Sequence, residues 1–175
     1  TQAFEIGDPT LAIERGTGGE IGLRGKGDGW RVELSAYATR FSNFIYQIET
    51  GNLNEGLPEF RFVSDRARLW GLELDAGAEL GTAGPFDIST SLVADLVRVN
   101  ITGEGPAPRI PPARILADIA AATSTLTARA EVEHVFAQRR IAALETPTDA
   151  FTLVNLSLDW QPLAERFPGL NLSLQ

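Results

Sequence analysis

The chain has 175 residues, of which 43% are hydrophobic, and carries a formal net charge of −8. This acidity argues against nucleic-acid binding, which requires clustered Lys and Arg. The chain has no Cys and only one histidine, His134, which excludes disulfides and thiolate chemistry and leaves little scope for imidazole chemistry. No apolar run approaches the roughly 18 residues of a membrane-spanning helix.

Two-residue alternation of apolar and polar side chains, the pattern of β-strands, recurs along the chain. Such segments are, in chain order, residues 30–48, 66–81, 86–96, 114–121, 126–133 and 152–160, with weaker runs at residues 20–26 and 170–175. The pattern predicts an all-β chain of about eight strands, several of them close to the 9–11 residues of a transmembrane β-strand.

The predicted connections between these strands alternate in length. Short ones at residues 27–29, 82–85 and 123–125 alternate with long ones at about residues 49–59, 102–112 and 139–149. Outer-membrane barrels have short periplasmic turns and longer extracellular loops. The connection at residues 161–169 is longer than this rule predicts, but its place in the alternation assigns it to the periplasmic side.

Aromatic residues on the apolar face fall at the ends of the predicted strands. Trp30, Phe86 and Trp160 lie at the periplasmic ends, and Trp70 and Phe136 at the extracellular ends. Such girdles mark the interfaces of a membrane with water. The sequence therefore predicts an antiparallel transmembrane β-barrel wall. A water-soluble sandwich or small barrel, with its apolar face turned inward, is the alternative. The long strands and the alanine-rich apolar face favour lipid.

Five sequence strings carry a resemblance to a known family. They are "FEIGDPTLAIERGTGGEIGLRG" at 4–25, "YATRFSNFIY" at 37–46, "ARLWGLELDAGAEL" at 67–80, "PRIPPAR" at 108–114 and "ETPTDAFTLVNLSLDW" at 145–160. In this order and spacing the chain resembles the C-terminal part of the barrel of TonB-dependent outer-membrane receptors. "LPEFRF" at 57–62 and "ETPT" at 145–148 resemble a branch that takes up metal ions or metal complexes.

The resemblance implies a partial barrel, because family barrels have about 22 strands and eight form only an arc of the wall. Residues 1–175 are then the C-terminal portion of the barrel, and the plug domain and the final hairpin are expected to lie outside the chain. The implied function is TonB-dependent uptake of a scarce nutrient, such as an iron–siderophore complex or a metal ion, across the bacterial outer membrane. The implied partners are outer-membrane lipid, the TonB complex acting through the plug, and the substrate. Neither a cofactor nor an enzymatic activity is expected.

In the family, outer loops contact the substrate, so charged residues of the predicted long connections are the candidate contacts. They are Glu55, Glu59, Arg139, Arg140, Glu145 and Asp149. Carboxylates among them could bind hard cations. The alternative is that they are solvated loop residues, which are common on protein surfaces.

Several other charged residues could have functional roles. His134 shares the apolar face with Val132 and precedes Phe136, which favours an interface position over metal ligation. Glu131 and Glu133 share a face with Arg129, which indicates a cross-strand charge ladder more than an acid–base pair. A polar row predicted to line the lumen and to anchor the plug comprises Glu33, Glu73, Asp75, Asp87, Asp95, Arg114, Asp118 and Arg129. A small outer-membrane barrel enzyme remains an alternative, and it would need His near an acid and a serine on the lumen face.

Overall fold

The computed structural model describes residues 3–162, 167 and 170–175, and these residues form β-structure without any helix. No helix in this part of the chain is long and apolar enough to span a membrane. The strands are β1 (Phe4–Ile6), β2 (Gly16–Gly27), β3 (Trp30–Asn54), β4 (Leu57–Ala83), β5 (Phe86–Ile101), β6 (Gly105–Pro106), β7 (Arg114–Ala122), β8 (Leu126–Val135), β9 (Phe151–Trp160) and β10 (Leu172–Leu174).

The ten strands form one sheet, and the eight strands of its main path follow one another in chain order. Its order is β10-β9-β8-β7-β5-β4-β3-β2, with β6 added to β5 and β1 added to β4. Every pairing is antiparallel except that of β1 with β4. Among the described residues, β2 and β10 each pair on one side only, so the sheet is an open arc. The predicted partial barrel wall is confirmed in its all-β, antiparallel architecture.

The register divides the side chains between two faces. One rung places Trp30, Ala78, Thr90, Ile119, Ala130 and Leu156 side by side. The adjacent rung, on the opposite face, places Arg31, Gly77, Ser91, Asp118, Glu131 and Asn155 side by side. We call the first the apolar face and the second the polar face. The sequence alternation predicted both, because successive side chains of a strand point to opposite sides.

Large apolar side chains of the apolar face are exposed in the isolated chain. Trp70 is 43% exposed, Leu72 44% and Leu156 67%. An exposed apolar surface that extends across a whole sheet requires an apolar environment or a partner. A sandwich would bury this face against a second layer, and the described residues form a single layer.

The small buried core lies on the polar face, near the outer ends of the strands. Ala67, Val99, Ile101 and Ala107 are each at most 5% exposed. Their partly buried neighbours are Phe41, Phe44, Tyr46, Leu69 and Ile110. The segment after β5 turns back along the edge of β5, because β6 pairs with its end and Ala107 donates its N–H to Val99 O at 3.0 Å.

Two predicted loops contain more strand than the sequence indicated. Residues 49–59 belong largely to the β3–β4 hairpin, which extends to a turn at residues 55–56. Residues 102–112 include β6, which pairs with the end of β5. These polar, Gly-containing stretches lack the alternation of apolar and polar side chains by which the sequence identifies a strand. The connection at residues 161–169 lies partly outside the described residues.

Candidate substrate-facing loops and lumen wall

The polar face carries a ladder of cross-strand ion pairs. Arg31 lies 2.7 Å from Asp75, and Arg24 lies 2.6 Å from Glu33. These pairs are largely exposed, so each contributes little to stability. Their role is positional, because opposite charges on neighbouring strands favour one register.

A second group of pairs lies farther along the same face. Arg114 bridges Asp95 at 2.6 Å and Glu133 at 3.4 Å and thus links three strands. Asp118 is more buried than the other carboxylates of these ion pairs, with its side chain 5% exposed. It forms an ion pair with Arg129 at 2.8 Å. The Ser91 hydroxyl donates to the other oxygen of the same carboxylate. The predicted charge ladder is therefore present, and it holds β5, β7 and β8 in register.

Tyr37 and Gly71 form a close contact in the middle of the polar face. They are paired across β3 and β4, and a Cβ atom added to Gly71 would overlap the Tyr37 ring. The hydroxyl end of the ring lies next to the glycine, and the hydroxyl donates to Glu73 Oε1 at 3.3 Å. This explains the Gly-x-Glu string at residues 71–73, because glycine leaves space for the ring and glutamate accepts its hydroxyl.

The β3–β4 hairpin holds two of the predicted contacts. Glu55 and Gly56 are the two residues of its turn, with φ of 53° and 79°. Positive φ at both positions is typical of a type I′ turn, which matches the twist of the strands. Glu55 is exposed there. Nearby, the Glu59 carboxylate accepts from the Thr50 hydroxyl at 2.8 Å and from Asn52 Nδ2 at 3.4 Å. These hydrogen bonds, chiefly that from Thr50, lower the pKa of Glu59.

Glu145 connects two outer segments. One carboxylate oxygen accepts the Arg109 N–H at 2.6 Å, and the other accepts the Ala142 N–H at 2.9 Å. Arg109 has φ of 61°, and Leu144 has φ of 73°. The carboxylate thus fixes two tight bends against each other, in addition to the Gln138 amide that donates to Ile110 O at 2.8 Å.

The remaining predicted contacts lie around the β8–β9 connection. Arg139 and Asp149 form an ion pair at 2.7 Å, with side chains 67% and 88% exposed. Arg140 donates to Asn100 Oδ1 at 2.8 Å, at the outer end of β5. The structure therefore leaves Glu55, Arg139 and Asp149 open to solvent, and it engages Glu59, Glu145 and Arg140 in contacts within the chain.

His134 lies on the apolar face, as its position in the alternation predicted. Its register partner Ile115 shares that face, and its ring meets Phe136 edge-on at 4.7 Å between centroids. Its Nδ1 lies 2.8 Å from the Thr152 hydroxyl. No group of three or more His, Cys, Asp or Glu that could hold a metal ion occurs within the described ranges.

Comparison with known proteins identifies the family. A family model described as TonB dependent receptor-like, beta-barrel, matches residues 1–175, which is the whole chain. The chain belongs to this family. Among solved structures, it is similar to one named copper transporter OprC, with 20% sequence identity and a TM-score of 0.76. The match covers 87% of this chain and 24% of that chain. At this identity the likeness shows the fold, and it agrees with the open arc described above.

For a TonB-dependent receptor barrel, the polar face is the lumen face and the apolar face is the outer surface of the wall. The predicted polar row lies on the lumen face, as the rungs through Asp75, Asp95 and Asp118 show. Family members are receptors and transporters that reside in the bacterial outer membrane.

One lumen feature escaped the sequence reasoning. Phe41 and Phe44 pack edge to face with ring centroids 5.4 Å apart, and Phe44 stacks with Tyr46 at 6.5 Å. A bulge between Phe41 and Phe44 shifts the register, so all three rings lie on the lumen face. Simple alternation places Phe44 and Tyr46 on the opposite face to Phe41, and only the bulge brings them together.

Proposed function

We propose that this chain forms part of the wall of an outer-membrane receptor that imports a scarce nutrient by TonB-dependent active transport. The observation that carries the proposal is the two-faced sheet, with an exposed apolar face and a charged face on alternate rungs, in a chain that matches the receptor barrel family throughout. An iron–siderophore complex or a metal ion is the proposed substrate class.

The geometry supports a passive role for the wall within an active transporter. Cross-strand ion pairs keep the lumen face fixed, and the outer segments are tied together by Glu145. A rigid wall of this kind holds outer loops in place for substrate capture. The polar row of the lumen face is proposed to contact a plug domain, through which the TonB complex supplies energy.

Several features bear on the substrate. The similar solved structure is named a copper transporter, which supports the metal class. This chain contains no Cys and no Met, so its own outer segments offer carboxylates and arginines and none of the soft ligands that copper(I) prefers. Glu55, Arg139 and Asp149 are therefore proposed to contact a metal complex through its charged groups, or a hard cation through carboxylate oxygen.

Growth under metal limitation tests this proposal. A strain that lacks the full-length receptor should lose uptake of its substrate, and a strain that lacks TonB should lose it equally. The variants Glu55→Gln and Asp149→Asn should raise the substrate concentration for half-maximal uptake several-fold while leaving the amount of receptor in the membrane unchanged. Uptake that continues without TonB would contradict the proposal.

A receptor without enzymatic activity is proposed over an outer-membrane enzyme. His134 is the only histidine of the chain, and it lies on the apolar face beside Phe136, away from the lumen carboxylates. A soluble ligand-binding β-domain is the other rival, and detergent separates it from the receptor. The full-length protein should require detergent or lipid to remain monodisperse, whereas a soluble domain would not.

A further inference from the structure

Four arginines form a cluster on the apolar face at the outer ends of the strands. Arg66 and Arg68 alternate with the buried Ala67 on β4, so both are exposed on the apolar side. Arg40 of β3 pairs directly with Arg68, and Arg98 of β5 pairs directly with Trp70 of the same face. We call Arg40, Arg66, Arg68 and Arg98 the outer basic patch.

The outer basic patch has no ion-pair partner among the residues that the structure describes. None of the ion pairs in the described ranges involves its four members. Asn100, which completes the rung of Arg40 and Arg68, accepts a hydrogen bond from Arg140 and so brings a further cation near. Of the carboxylates near the outer part of β3, Glu14 accepts the Ile45 N–H at 2.9 Å, and Glu49 lies on the rung of Phe60, about 20 Å along β4 from Arg66 at roughly 3.3 Å per residue.

Like charges placed directly opposite on neighbouring strands destabilise a sheet. The Arg40–Arg68 pair therefore carries an unfavourable interaction that an external anion would relieve. The position of the patch indicates which anion. Trp70 marks the outer edge of the apolar surface, and Arg98 lies on its rung. Arg40 and Arg68 lie two rungs farther out, and Arg66 lies four rungs farther out. This is the layer in which aromatic belts end and lipid headgroups begin.

We propose that the outer basic patch binds phosphate groups on the headgroups of anionic lipid in the outer leaflet. Guanidinium groups form paired hydrogen bonds with phosphate oxygens, and several arginines at a membrane surface attract anionic lipid additively. The inference rests on the proposed outer-membrane wall, but it assigns a separate binding surface, since these arginines face away from the lumen and from the proposed substrate contacts.

The test uses the full-length receptor in neutral detergent and bisphosphorylated lipid A as the probe, with binding followed by native mass spectrometry. The variant R40Q/R68Q should weaken binding about 25-fold, at roughly fivefold for each arginine. The control R24Q/R61Q removes the same charge from the lumen face, where Arg24 is paired with Glu33 and Arg61 with Ile48; it should leave binding within about twofold of wild type. Dephosphorylated lipid A should bind wild type and R40Q/R68Q equally weakly.

Two further measurements keep the result interpretable. Wild-type Tm should rise when bisphosphorylated lipid A is added, because a ligand of the folded state stabilises it, and the Tm of R40Q/R68Q should not. In lipid-free detergent the variant should be at least as stable as wild type, because the repulsion is removed. If R40Q/R68Q fails the heat-modifiability test for a folded barrel, R66Q/R98Q replaces it with the same expectation.

Equal lipid binding by wild type and the folded variant would overturn the proposal, as would an equal loss in R24Q/R61Q. Displacement of the lipid by millimolar inorganic phosphate would indicate a simple anion site and would also overturn it. A receptor that loses lipid binding but still imports its nutrient separates this inference from the proposed function. A receptor that binds lipid but imports nothing would contradict the proposed function alone.

Discussion

At the scale of single residues, the outer carboxylates differ in what they do. Glu55 is exposed at a turn, whereas Glu59 and Glu145 are acceptors for groups of the chain itself. The sequence marks all three alike as charged residues of long connections. The structure therefore separates carboxylates that are free to meet a ligand from carboxylates that shape the surface around it.

Glu59 should make the hairpin more ordered at neutral than at acidic pH. Hydrogen bonds from Thr50 and Asn52 hold the pKa of its carboxyl below the ordinary value of 4.5. A lowered pKa in the folded state gives stability that is present above pH 4.5 and is lost as the pH falls through the folded value. In hydrogen exchange, the backbone amides of residues 50–59 should exchange faster in Glu59→Gln than in wild type at pH 7. The exchange rates of the two proteins should converge at low pH. A ratio of the two exchange rates that stays the same at every pH would contradict the stabilising role of the Glu59 carboxylate.

Glu145→Gln should loosen two outer segments at once. The neutral amide is a weaker acceptor for the N–H groups of Arg109 and Ala142 and cannot accept both as the carboxylate does. Exchange at these two amides should become about tenfold faster, while the strands beneath are unaffected. Glu55→Gln, which also removes one exposed outer charge, should change neither amide. If only one amide responds, the carboxylate does not bridge the segments.

At the scale of elements, apolar alternation predicted the strands that face lipid and missed the parts beyond it. β7, β8 and β9 run Arg114–Ala122, Leu126–Val135 and Phe151–Trp160, within three residues of the ends expected from the sequence. The outer hairpin was missed because water on both sides imposes no alternation. The pairing of β1 with β4 was missed because it joins residues about 55 positions apart, and no local pattern encodes it.

The functional features likewise divide into those that a single strand encodes and those that arise between strands. The charged residues of the lumen face were predictable because each occupies a polar position in the two-residue alternation of its own strand. The ring of Tyr37 over Gly71 and the outer basic patch were not, because both arise from register between strands. In a single strand, Arg40 or Arg68 is only an interruption of the apolar pattern.

Gly71 should tolerate a side chain only when Tyr37 is replaced by a smaller residue. A Cβ atom at Gly71 would overlap the Tyr37 ring, so Gly71→Ala should force the ring from its position and lower barrel stability by about 1–3 kcal/mol. Tyr37→Ser alone should cost less, since the ring is only partly buried. The double variant should be more stable than the sum of the single effects predicts. Additive effects would show that the ring does not occupy this position.

Asp118 should matter more for stability than the exposed pairs of the same ladder. Asp118→Ala removes the partner of Arg129 and of the Ser91 hydroxyl. Because the Arg129 side chain is 47% exposed, water replaces part of the lost interaction, and we expect a cost of about 1–2 kcal/mol. Glu33→Ala, which breaks the exposed pair with Arg24, should cost less than about 1 kcal/mol. Urea titration of the full-length receptor in detergent compares the free energies of unfolding of the two variants. Equal losses in the two variants would contradict this ranking.

At the scale of the whole molecule, the sheet is an arc with two open edges and two chemically distinct faces. Unpaired edges can pair with further strands, which the proposed receptor requires. In that proposed receptor, the lumen charges, the outer loops and the outer basic patch lie in three separate environments: the inside of the barrel, the extracellular surface and the headgroup layer. The central claim of this account is that the apolar face contacts lipid.

Spin-label accessibility tests that claim most directly. The chain has no Cys, so single cysteines can be introduced at residues 72–78 of β4 in the full-length receptor and labelled in bilayers. Labels at even positions, on the apolar face, should be accessible to oxygen in the hydrocarbon and shielded from a water-soluble nickel reagent. Labels at odd positions, on the lumen face, should show the reverse. Accessibility without a two-residue period, or with the opposite phase, would contradict the account.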